Sequence, residues 1–164
     1  MAQEGMTPRE AAATLIAAMP AGVSTSLLEE YGIDATPELA QALTREVLSL
    51  NLFWIGASIE AHIPRKYQPA VTELVLDELK TGWGTTYQAD SITWEAFLAA
   101  WQQRTLRYQQ LVQEGLSALA IAAEVESWLE DEKVVSEDDR RNVLTLLIDS
   151  VPVETYGQLL DEIG

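Results

Sequence analysis

No cysteine occurs among the 164 residues, and there is one histidine, His62. The first absence removes disulfides, thiolate metal sites and cysteine nucleophiles together. It suits a reducing compartment, so a cytoplasmic setting is expected. The second removes di-iron carboxylate bundles, which need a Glu-x-x-His pair on each of two helices. The local pattern here is Glu60-Ala61-His62, whose acid and imidazole stand about 200° apart on a helix. A haem would have to use His62 with no second histidine. Neither a metal nor a cofactor is expected.

Positive charge is also scarce. Ten Lys and Arg face 26 Asp and Glu, for a formal net charge of -16. Up to Gly82 there are 11 acids against 5 bases, and beyond it 15 against 5, so both halves would be repelled by phosphate. The largest basic groupings are pairs: Arg65 with Lys66, Arg104 with Arg107, and Arg140 with Arg141. Direct nucleic-acid binding, which draws on a basic stripe to release counterions, is set aside. So is an anionic membrane surface.

Long apolar runs are missing too. The uncharged stretch from Val47 to Ile59 is 13 residues, against about 20 for a spanning helix. The opening MAQEGMTPRE has no basic segment followed by an apolar one, so no secretory signal is expected. There is no G-x-S-x-G elbow, no G-x-x-x-x-G-K phosphate loop, and EDEKVVSEDDRR lacks the ligand order of a calcium loop. The chain is not expected to be an enzyme.

What is present is helix signal. Thr7-Pro8-Arg9-Glu10 combines a capping threonine, a proline in the first turn and a glutamate able to close a capping box; Thr36-Pro37-Glu38 repeats the start. Ser136 precedes Glu137, Asp138 and Asp139, acids that favour the positive end of a helix dipole. Apolar spacing is helical nearly throughout, with no convincing period-2 run. The reading is an all-α, single-domain bundle of about six to eight helices spanning residues 1–164, around a central hydrophobic helix near residues 37–63. Segments are expected over 8–19, 26–31, 37–63, 69–80, 93–114, 117–131, 137–149 and 153–163. Gly115 leaves open whether 93–131 is one kinked helix or two.

On a helical wheel the central segment carries two apolar stripes. Leu43, Val47, Leu50, Trp54, Ala57 and Ala61 form one, and Leu48, Leu52, Ile55 and Ile59 the other. Glu38, Arg45, Ser49, Gly56 and Glu60 gather on the remaining side, the expected solvent face, with Phe53 near it. Between the stripes runs a polar seam of Thr44, Asn51, Ser58 and His62. Unpartnered, each would cost about 1–3 kcal/mol inside a core. One account bonds Thr44 and Ser58 back to their own helix, uses Asn51 to fix register and lets His62 cap carbonyls. The other is a ligand pocket in which Asn51, Ser58 and His62 orient a small molecule and Trp54 supplies apolar wall.

Three further features point outward. Trp83, in a Gly-flanked loop, is either a plug over the bundle end or an exposed anchor for a partner. Glu130, Asp131 and Glu132 belong to the most acidic stretch, Glu124 to Asp139, which could draw a basic protein, although a solvated turn between two helices accounts for most of its charges. Trp94, Phe97, Trp101, Tyr108 and Val112 recur at helical spacing and read as a core ladder. The leading functional expectation is a non-catalytic helical protein that binds or regulates another protein. A small-molecule binder or enzyme using the seam is the alternative, and an acidic nucleic-acid mimic a lesser one. A homodimer completing the two-sided central helix is allowed.

Overall fold

The computed structural model describes residues 7–163. Among them are eight α-helices and no strand: α1 (Pro8–Ala18), α2 (Thr25–Glu30), α3 (Pro37–His62), α4 (Gln68–Thr81), α5 (Trp94–Gln113), α6 (Ala118–Asp131), α7 (Arg140–Asp149) and α8 (Val153–Ile163). Short 3-10 turns at Arg65–Tyr67 and Glu137–Asp139 lead into α4 and α7. The protein is all-α.

The starts follow the capping chemistry. Thr7 Oγ1 accepts from the Glu10 amide and Glu10 Oε1 from the Thr7 amide, both at 3.1 Å, a complete capping box. Thr36, Thr93 and Ser117 each accept from the amide three residues on. Ser136 departs from the expectation. Its hydroxyl donates to the Asp139 carboxylate at 3.3 Å, so the three acids form the 3-10 turn and α7 begins at Arg140. Gly115 settles the question it raised. At φ +90° it takes the left-handed conformation that ends a helix, the Leu116 amide bonds back to the Leu111 carbonyl at 3.0 Å, and two helices result.

α3 is the shared wall of two apolar clusters. Leu43, Val47 and Leu50 join Tyr108, Leu111, Ile121, Val125, Val143 and Leu147 on one side. Leu48, Leu52, Ile55 and Ile59 join Leu15, Val71, Val75, Leu79, Tyr156 and Leu160 on the other. These are the two stripes of the wheel, each with its own neighbours. Burying one such aliphatic side chain contributes about 1.5–3 kcal/mol, which is why α3 stays helical with so little polar surface.

Two parts of the wheel turn out differently. The first stripe ends at Trp54, because Ala57 and Ala61 are exposed. The expected solvent face is covered in its middle: Ser49 and the neighbouring Glu46 are buried beneath α5, whereas Glu38 and Glu60 are exposed and Arg45 and Gly56 half-buried. Among the described residues no helix is long and apolar enough to cross a membrane.

Candidate functional site

The seam is placed first by its hydrogen bonds. Thr44 Oγ1 donates to the Ala40 carbonyl at 2.8 Å, as expected of a back-bonded threonine, and accepts from the Val23 amide at 2.9 Å, tying the segment before α2 to α3. Asn51 is 0% exposed. Its Nδ2 donates to the carbonyls of Val47 (2.8 Å) and Ser150 (3.1 Å), and its Oδ1 accepts from the Tyr156 hydroxyl at 2.5 Å. Burial raises the Tyr156 phenol above its ordinary pKa, keeping it a donor. Asn51 therefore faces α8 and the turn before it. Ser58 is buried on the same helix. His62 lies beside α8, with Nδ1 3.9 Å from Asp161 Oδ1 and Nε2 against Gly157. The carbonyls at the end of α3 are capped instead by Gln68, whose Nε2 donates to Glu60 (3.3 Å) and Ile63 (2.9 Å). Trp54 stands apart from the seam. It lines a small recess of about 90 Å³ with Leu50, Ala122 and Leu147, a set that includes neither Asn51, Ser58 nor His62.

The outward-pointing candidates are divided in the same way. Trp83 is 6% exposed, its indole N–H donates to the Ile92 carbonyl at 3.0 Å, and its ring packs on Phe97 and Trp94. Its ring is thus enclosed by the loop and by α5. Glu130 is held by the Arg140 fork, with contacts of 2.8–3.1 Å, while Asp131 and Glu132 are exposed beside it.

A broad concavity lies elsewhere. Between α4 and α5 runs an open groove of about 1170 Å³, floored by α3. Leu52, Phe53, Gly56 and Ala57 form the floor, Thr72, Glu73, Leu76 and Asp77 the α4 wall, and Trp94, Leu98, Trp101, Thr105, Gln109 and Val112 the α5 wall. Charges stand at its rim: Glu60, Glu73 and Asp77, with Arg65 and Lys80. The aromatic ladder is thus split. Phe97 is buried against Trp83 and Tyr108 against α3, whereas Trp94, Trp101 and Val112 look into the groove. The signal was available in the spacing, since 94, 98, 101, 105 and 112 make a stripe distinct from 97, 108 and 111, turned by roughly 80° on a wheel.

α5 is fastened to α3 by buried polar contacts beside the groove. Arg104 meets Glu46 at 2.7 Å and lies over the Trp128 ring at 4.6 Å; Ser49 and the Tyr108 hydroxyl share a hydrogen bond of 3.2 Å. Burial pushes the Glu46 carboxyl up, and the Arg104 guanidinium only partly offsets it. On the groove side two atoms are shut away from water with no hydrogen-bond partner among the described residues, Trp101 Nε1 and Thr105 Oγ1. The groove therefore combines an apolar floor with carboxylates on one wall and amides on the other. That combination is suited to recognition. The chain matches no family model, no curated protein and no solved structure.

Proposed function

We propose that this chain is a non-catalytic interaction module that holds an amphipathic helix of another protein in the groove between α4 and α5. The observation that carries the reading is the groove itself, about 1170 Å³ and lined lengthwise by Leu52, Phe53, Leu76, Leu98, Trp101 and Val112. A helix with its side chains is about 10–12 Å across, and it docks by laying an i, i+3/i+4, i+7 apolar face into such a trough. The net charge of -16 opposes both nucleic acid and a second copy of the chain as occupant. We take the chain as one domain working in the cytoplasm. The test is to pan a phage library of helical 20-residue peptides at physiological salt against the protein, with Leu98→Glu as counter-selection. Enrichment of amphipathic sequences that ignore Leu98→Glu protein, whose melting temperature stays within about 3 °C of the parent, is the expected result. No sequence preferring the parent would overturn the reading.

A further inference from the structure

We infer that the occupant of the groove is a basic helix whose backbone crosses α3 at Gly56, where the partner presents Gly, Ala or Ser. This rests on the groove reading above and adds the partner's chemistry to it. Glycine in mid-helix costs stability relative to alanine through the extra freedom of the unfolded chain, so its presence calls for a return. Among the described glycines, Gly22, Gly32 and Gly115 have positive φ, and Gly82, Gly84 and Gly157 have side-chain atoms within 3.1–3.4 Å of where a Cβ would stand. Gly56 has neither reason. It is helical, and a Cβ there would meet no heavy atom within 4 Å. The fold has room for a side chain and does without one, at the floor of the groove and next to Ala57.

A guest helix supplies the return. Helix axes usually lie 8–10 Å apart according to the side chains between them, and the missing Cβ lets the guest settle deepest over Gly56. The charge of the guest follows from the rim. Glu73 and Asp77 stand one turn apart in the middle of α4, Glu60 stands in the last turn of α3, and the cations are Arg65 ahead of α4 and Lys80 in its last turn. The middle of the groove therefore offers carboxylates, which favour Lys or Arg along one flank of the guest. The α5 wall offers Gln109 and Gln113, so the other flank is neutral and polar.

The experiment uses peptides selected from the helical library, titrated by calorimetry into the parent, Gly56→Ala and Gly56→Leu proteins. The expected result is an excess of Lys and Arg on one flank and a small residue at the centre of the apolar face. Gly56→Ala should melt about 2 °C higher than the parent and bind several-fold more weakly; Gly56→Leu should bind at least 100-fold more weakly. Peptides that bind Gly56→Leu as they bind the parent, yet lose binding in Leu98→Glu, would overturn the crossing and leave the groove reading intact. Acidic or uncharged flanks would overturn the charge assignment alone. A lower melting temperature for Gly56→Ala would show that the glycine serves its own fold and would also sink the inference.

Discussion

Glu126 stands inside the most acidic stretch of the chain and yet is 4% exposed. Burial comes first in pushing its carboxyl up to about 7, followed by the neighbouring Glu130 carboxylate, which accepts its proton while the Arg140 fork holds Glu130 ionised. A carboxyl whose folded pKa lies above its unfolded value binds its proton more tightly when folded, so its cost to stability is absent below the ordinary carboxylate range and grows as pH rises through about 7. Glu126→Gln keeps a donor toward Glu130 without the titration. It should be more stable than the parent by roughly 1–3 kcal/mol above pH 7, a gain that vanishes near pH 4.5; urea unfolding at the two pH values measures it, and an equal difference at both would refute the assignment. The sequence held part of this. Glu126 falls between Ala122 and Leu129 on the buried face of α6, so its spacing marked it off from Glu130, Asp131 and Glu132. What spacing does not convey is that Arg140, on the next helix, arrives to hold the acid beside it.

At the scale of helices, α3 and α5 show where a wheel reads well and where it does not. The two stripes of α3 were legible because an aliphatic row at helical spacing must be covered by something, and both rows are, the first as far as Trp54. The third face was misread at Ser49, which looks like a surface residue until Tyr108 is brought over it. The seam between the stripes was legible as a line of residues, though not in its partners. The bonds of Asn51 to Ser150 and Tyr156 join α3 to residues far along the chain, which no local pattern specifies. They tie α8 and the turn before it to one amide, beside the apolar packing of Tyr156 and Leu160. Asn51→Ala leaves the Tyr156 hydroxyl and the Ser150 carbonyl without that partner, and should cost about 2–4 kcal/mol, more than an exposed substitution and comparable to loss of a core leucine. Hydrogen exchange should show the amides of α8 losing protection before those of α6. A cost under about 0.5 kcal/mol would mean that α8 is held by its apolar face alone.

The molecule as a whole is two apolar clusters that share one helix, with a groove alongside. Because α3 lines both, neither cluster can come apart without exposing a face of the helix that the other needs. Val47→Ala and Ile55→Ala, one in each cluster, should therefore lower the midpoint of the same cooperative transition, each destabilising the fold by about 1–4 kcal/mol, in far-ultraviolet and near-ultraviolet signals alike. Two transitions, each answering to one substitution, would show independent units. The groove was not legible at this scale. It depends on how far α5 stands from α4, which follows from the loop that Trp83 closes and from the Arg104 and Tyr108 contacts rather than from any periodicity.

The sharing of α3 also bears on time. Asn51 and its partner Tyr156 are 105 residues apart, and translation at about 5–20 residues per second separates their appearance by roughly 5–20 s. Until Tyr156 is made, the nascent chain carries α3 with the Asn51 amide oxygen in its middle still unclaimed. The growing polypeptide, rather than the folded protein, is then the form of this molecule most in need of chaperones.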